Sequence, residues 1–181
     1  LPEGMDPSGD FTRRVKRFEL QTAADGSPEA TFLGAFGEAR GPGALMVVES
    51  IQVDESQNLL LVADEHNFEV ELYSLDGQYL DRTVGSEIYR SGDPEGIMLY
   101  RCGSQGYWVL TDQGVTRSVF HVLDRESFQI VGSFAGEVTA NTDGIWLDQG
   151  NVPGLGEGVL IALHDDGGVS GFAWEDIARA L

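Results

Sequence analysis

This sequence predicts an all-β fold of the β-propeller kind, a whole small propeller or part of a larger one, on three observations. Short apolar segments alternate with turn signals about every eight to twelve residues, and 24 glycines are spread along the chain. An acid, a small residue and isoleucine recur as a unit: Glu49-Ser50-Ile51, Glu95-Gly96-Ile97 and Asp143-Gly144-Ile145. The three acids stand 46 and 48 residues apart, the length of a propeller blade of about four strands. A β-sandwich is also made of short strands, but nothing in a sandwich makes one motif recur at a fixed period.

Taken in order, the first full repeat (45–84) reads as strands Val48–Asp54, Asn58–Asp64, Phe68–Tyr73 and Gln78–Leu80, with Asp76-Gly77 as a tight turn. The second (95–134) gives Pro94–Tyr100, Gly106–Thr111, Ser118–Leu123 and Phe128–Val131. The third (143–174) gives Thr142–Leu147, Gly158–Leu163 and Val169–Trp174. A poorer unit (11–36) precedes them, with strands Phe11–Leu20 and Ala30–Phe36. The only helix expected is the closing Glu175–Leu181, anchored by Trp174.

The chain is 181 residues long, one domain's worth. It is 41% hydrophobic and 23% charged, which supports a packed core. Its 30 Asp and Glu against 11 Lys and Arg leave a net charge of −19. Such a surface repels nucleic-acid backbones and anionic membranes and suits divalent cations. The longest apolar runs, such as Leu59–Ala63, are too short to span a bilayer. The single cysteine, Cys102, excludes an intrachain disulfide and a Cys-rich zinc site. His66, His121 and His164 are not spaced as a zinc set, and mid-strand His121 reads as structural. Trp108, Trp146 and Trp174 read as packing between repeats. There is no Ser-His-Asp order, and Gly154-Leu155-Gly156 precedes a strand rather than a helix, so it is no phosphate loop.

The acids carry the chemistry. In a propeller the innermost strand of each blade lines the central channel, so the three opening acids face one axis. Carboxylates gathered there repel one another, and protons or a cation must relieve them. Calcium is the natural occupant, because it takes about six to eight hard oxygen ligands in flexible geometry. Asp64 and Glu65 close the second strand of the first full repeat, Asp112 that of the second, and His164-Asp165-Asp166-Gly167 that of the third. Asp93 stands two residues before Glu95, across Pro94. Asp54, Glu55, Asp76, Asp124 and Glu126 read as solvated turn residues.

These motifs resemble the β-propeller phytases, six-bladed calcium-dependent enzymes that hydrolyse phytate. Val48-Glu49-Ser50-Ile51 with Glu65 sixteen residues after Glu49 is similar to the family's Val-Glu-Gly opening and its second acid. Asp93-Pro94-Glu95-Gly96 matches its Asp-x-Glu-Gly motif, Gln113-Gly114 its Gln-Gly turn, and Asn141-Thr142-Asp143-Gly144-Ile145 its Asn-Thr-Asp-Gly-Ile motif. The closing Trp174-Glu175-Asp176-Ile177-Ala178 resembles the family's Trp-x-x-Ile-Ala. The motifs run in the family's order from about residue 45 to the C-terminus.

The resemblance implies calcium-dependent phosphate-monoester hydrolysis of phytate (myo-inositol hexakisphosphate), with Ca2+ held by Glu49, Glu65, Asp93, Glu95 and Asp143, and Asp165 as a weaker candidate. It implies catalytic roles for Glu65 and Glu95, and an extracellular or periplasmic setting. Ser50 replaces the family's Gly, and only the family's C-terminal half is matched. The basic residues that grip substrate belong mostly to the other half. Within this chain Arg90, Arg101 and Arg117 are expected near the acidic face, Arg117 being the best placed to touch a substrate phosphate. About four repeats against six blades, and a start at Leu1 without Met, lead us to expect the C-terminal portion of a larger propeller. A missing N-terminal half or a second copy would complete it.

A second resemblance supplies the alternative. Phe36-Gly37 through Gly41-Pro42-Gly43, then Val53-Asp54, Leu61–Asp64, Asn67 and Leu75-Asp76-Gly77, are similar to NHL-type blades of six-bladed propellers. That likeness implies a calcium-binding scaffold or a lactonase/esterase.

Overall fold

A computed structural model of the chain describes residues 14–38, 40–85, 87–89 and 92–181. Among the described residues the fold is all-β, in four antiparallel sheets with a single 3-10 turn (Glu55–Gln57) and one short C-terminal α-helix. The first sheet is a hairpin, β1 (Val15–Thr22) with β2 (Pro28–Phe36). The second runs β3 (Val48–Asp54), β4 (Leu59–Asp64), β5 (Glu69–Ser74) and β6 (Tyr79–Val84). The third runs β7 (Asp93–Cys102), β8 (Gln105–Gln113), β9 (Val119–Asp124) and β10 (Ile130–Phe134). The fourth runs β11 (Ile145–Val152), β12 (Gly156–His164) and β13 (Gly168–Ala173), followed by α1 (Trp174–Ala180). Among the described residues every paired strand lies beside its neighbour in sequence, so each sheet is a simple meander. Residues 11–13 of the expected first strand lie outside the described residues.

Local chemistry sets the turns. Gly77 sits at φ +90, and its N–H donates to the Ser74 carbonyl over 2.9 Å. A Cβ there would stand 2.6 Å from the Phe36 ring, so the turn needs glycine for both conformation and space. Asp124, as expected of a turn acid, accepts the Ser127 N–H (2.9 Å) and hydroxyl (2.8 Å) to close the β9–β10 hairpin.

Three apolar layers separate the four sheets. Val15, Leu60, Val62 and Tyr73, with Phe36 and Tyr79, fill the first gap. Leu61, Leu72, Ile97, Leu99, Trp108 and Leu110 fill the second, and Val109, Phe120, Val122, Leu160, Ala162 and Trp174 the third. Strands β4 and β8 therefore send successive side chains into two different layers. This is why Leu59–Ala63 and Trp108–Leu110 are unbroken apolar runs rather than alternating ones. At the C-terminus Trp174 stacks on Tyr100 with ring centroids 3.9 Å apart and anchors α1.

Three expectations need correction. Asp54 is not a solvated turn residue: it is completely buried in an ion pair with Arg125. The guanidinium meets both carboxylate oxygens (Nε–Oδ2 2.6 Å, Nη2–Oδ1 2.7 Å), donates to Ser56 Oγ, and donates through Nη1 to the Ser104 and Gln105 carbonyls (3.0 and 3.1 Å). Arg101 is not near the acid-bearing strand starts: it lies eight residues beyond Asp93 on β7, roughly 26 Å along the strand, and its Nη2 donates to the Val53 carbonyl. Trp146 does not pack between repeats. It is 62% exposed, because it points to the face of β11 that no sheet of the described residues covers.

The buried pair yields a stability prediction. Asp54→Asn or Arg125→Met leaves one charge unpaired in the interior and should cost about 3–5 kcal/mol. The double replacement Asp54→Leu with Arg125→Met should cost much less, because no orphan charge remains. Urea unfolding of the three variants checks both statements.

Candidate acidic site at the strand starts

The recurring small residue has a steric cause. Strands β3, β7 and β11, the first of their sheets, run side by side. A Cβ on Gly96 would lie 2.6 Å from Ile145 Cγ1 and 2.8 Å from the Ile145 nitrogen, so β7 meets β11 only with glycine there. One repeat earlier Ser50 fits, and its Oγ accepts the Ile97 N–H over 3.2 Å. The serine thus adds a hydrogen bond between β3 and β7.

That close approach gathers the opening acids. Glu95 is 5% exposed, and its Oε2 has no hydrogen-bond partner. Burial, reinforced by Glu49, Asp143, Glu65 and Asp93, pushes its carboxyl up to about 9. Burial also raises Glu49, with Glu65, Asp143 and Asp64 adding to the effect, and burial raises Asp93. Glu49, Glu65, Asp93, Glu95 and Asp143 therefore share one field. Gln113 Nε2 donates to Asp143 Oδ1 over 2.7 Å, so the Gln113-Gly114 turn holds that acid in place.

Asp165 sits in the turn after β12, where its N–H donates to the Ala140 carbonyl, and it is not among the acids that act on Glu95. Arg117 is exposed in the β8–β9 loop, which is tied to the approach to Asp143 by the Ser118 N–H to Thr139 O and Asn141 N–H to Gly114 O bonds. Arg90 lies outside the described residues. Asp64 is structural: its carboxylate accepts the N–H groups of Met46 (2.6 Å), Val47 (3.0 Å) and His66 (3.0 Å).

Among the described residues no group of three or more His, Cys, Asp or Glu is set to hold a metal ion as the side chains stand. The donor chemistry nevertheless fits calcium. The set consists of hard carboxylate oxygens, one of them buried without a partner, and only burial and other carboxylates act on Glu95.

Two polar features escaped the sequence reading. On the third sheet His121 Nδ1 stands 2.7 Å from Ser133 Oγ, its direct cross-strand partner, and His121 Nε2 stands 3.7 Å from Asp112. Burial lowers the imidazole and raises Asp112. The short hairpin around Asp124–Gln129 was the signal for the His121–Ser133 pair. Glu71 is the other: it is buried on β5, accepts from Asn67 Nδ2 (3.2 Å), and is pushed up to about 7 by burial and then by Asp64. No family model matches the chain, and no curated protein matches it.

The acid field makes stability depend on pH. The Glu95 carboxyl ionises near 4.5 in the unfolded chain and at about 9 in the folded one. Between those values the folded state holds the extra proton, so stability should fall as pH rises. Thermal melts in chelator at about pH 5 and about pH 8.5 should show the loss in wild type and a flatter profile in Glu95→Gln. At the higher pH the variant should melt at least about 2–4 °C above wild type, the shift that 1 kcal/mol produces in a domain of this size.

Proposed function

We propose that this chain is the acidic, calcium-binding part of a six-bladed β-propeller that hydrolyses the phosphate monoesters of phytate. The feature that carries the reading is a buried, unpartnered Glu95 oxygen lying in the field of Glu49, Glu65, Asp93 and Asp143. The propeller reading is supported by meander sheets that pair only within each repeat and by the side-by-side run of β3, β7 and β11. A further set of blades, from a missing N-terminal half or a second copy, would close the ring and bring additional basic residues.

In this reading Glu49, Glu65, Asp93, Glu95 and Asp143 hold the ion, with Asp165 at the margin. Calcium, when bound, would neutralise the crowded carboxylates, draw in substrate phosphate and activate water. Glu95 gives up its proton to become a ligand. Glu65, only partly buried just beyond β4, would act on the attacking water. Gln113 keeps Asp143 oriented, and Arg117 in the neighbouring loop meets a phosphate oxygen of the substrate.

The alternative is an NHL-like propeller acting as a calcium-binding scaffold or a lactonase/esterase, for which the Asp112–His121–Ser133 set supplies polar groups but not a nucleophile in triad order. There the serine faces Nδ1 and the acid Nε2, the reverse of a hydrolase triad.

Two measurements test the proposal. Calorimetry near pH 7.5 in buffers of different ionisation enthalpy should show calcium binding with release of about one proton per ion, lost in Glu95→Gln. Phosphate release from phytate, with a lactone in parallel, should be calcium-dependent and fall at least about a hundredfold in the same variant. Calcium binding without phosphate release would favour the scaffold, and lactone turnover the esterase.

A further inference from the structure

Side chains of the second sheet hold the segment 43–47 that leads into β3. Asp64 accepts the Met46 and Val47 N–H groups (2.6 and 3.0 Å), Asn67 Nδ2 donates to the Ala44 carbonyl (3.0 Å), and the Tyr73 hydroxyl donates to the Gly43 carbonyl. Leu45, between these anchors, is completely buried. Glu49 follows Val47 by two residues, so the same anchors set where the first opening acid starts. Glu71 lies behind them, 1% exposed, with Oε1 3.2 Å from Asn67 Nδ2 and Oε2 3.4 Å from the Tyr73 hydroxyl.

Counting hydrogens fixes the state of Glu71. Asn67 Nδ2 carries two hydrogens for three acceptors, and Glu71 is the farthest, behind the Ala44 carbonyl and Asp64 Oδ2 (3.1 Å). The Tyr73 phenol has one proton, and the Gly43 carbonyl, which can only accept, takes it. Glu71 Oε2 therefore faces a phenol lone pair and bonds only by donating a proton of its own. An ionised Glu71 would lose that bond, repel Asp64 and draw Asn67 away from it. The other titratable groups on this side, among the described residues, are Glu69 on β5 and Tyr79 on β6, with Glu38 acting on Tyr73. The hairpin side of the layer is apolar, Val15 and Phe36, and Arg17 of β1 donates to the Leu75 carbonyl. We propose that Glu71 is the positioning residue for the segment 43–47, neutral while the segment is held and ionised when it is released. The direction agrees with burial, which raises the carboxyl from 4.5 to about 7. The stability it gives is complete below about pH 4.5 and is lost as pH rises through about 7. The effect on calcium, through Glu49, rests on the function proposed above, whereas the hold on 43–47 does not.

Nuclear magnetic resonance on the full chain carrying Glu95→Gln, in chelator, tests it free of calcium and of the Glu95 proton. The Glu71 carboxyl carbon should titrate at about 7, and the Met46 and Val47 amide protons should shift with the same midpoint. Their protection from hydrogen exchange should fall at least about tenfold between about pH 5.5 and about pH 8.5. Glu71→Gln stays neutral and can still donate to Tyr73 and accept from Asn67. In that variant both amides should keep their acid-pH shift and protection throughout. If it misfolds, the titration of the chain that retains Glu71 decides alone. A Glu71 that titrates near 4.5, amides that do not follow it, or the same loss in Glu71→Gln would overturn the proposal.

Discussion

Arg125 and Asp54 close over the gap between the second and third sheets, at the far end of β3 from Glu49. The two partners are 71 residues apart in sequence, and both are removed from water. Arg125 also gathers the carbonyls of the β7–β8 turn, so one guanidinium fixes the end of β3 to the end of β7. Glu49 lies five residues back along β3, roughly 17 Å away. At that distance the starts of the strands can carry uncompensated charge without the sheets parting, because the apolar layer and the ion pair hold the remainder of their length. The acidic end is a local cost borne by a well-anchored frame, the arrangement expected where function and stability pull apart.

The small residue of the repeating motif belongs to the same economy of space. First strands that touch through Gly96 or Ser50 bring the preceding acids within each other's field, and a larger residue would hold them apart. Gln113 on Asp143 and the backbone amides on Asp64 then decide which carboxylates stay fixed and which are left free. Glu95 is left with one buried oxygen, Oε2, that meets no donor among the described residues.

Much of this was legible in the sequence. Periodicity located three meanders and the hairpin before them to within a few residues, because each strand is bounded by its own turn residues. It also picked out Glu49, Glu95 and Asp143, because a repeated residue in a repeated strand must recur in space. Part of what it missed depends on contacts between repeats. Asp54 looks like any turn acid until Arg125 arrives from the next sheet. Arg101 follows the acids closely in sequence, but an extended strand carries it to the opposite end. Trp146 has the apolar surroundings of a packed residue, yet no sheet of the described residues lies over its face of β11. His121 and Ser133 meet because of hairpin register, which turn chemistry sets and hydrophobic pattern does not.

The meander topology also orders events in time. Within each sheet every strand after the first pairs with the one made just before it, so hairpin by hairpin each sheet can assemble as its residues leave the ribosome, with little loop entropy to overcome. The Arg125–Asp54 lock is the exception. It cannot form until β9 has been synthesised and turned back, long after β3 is in place. The second sheet is thus early and its joint to the third late. A chain stalled between the two stages would display the Leu61 and Leu72 face of the second sheet to whatever else is in solution.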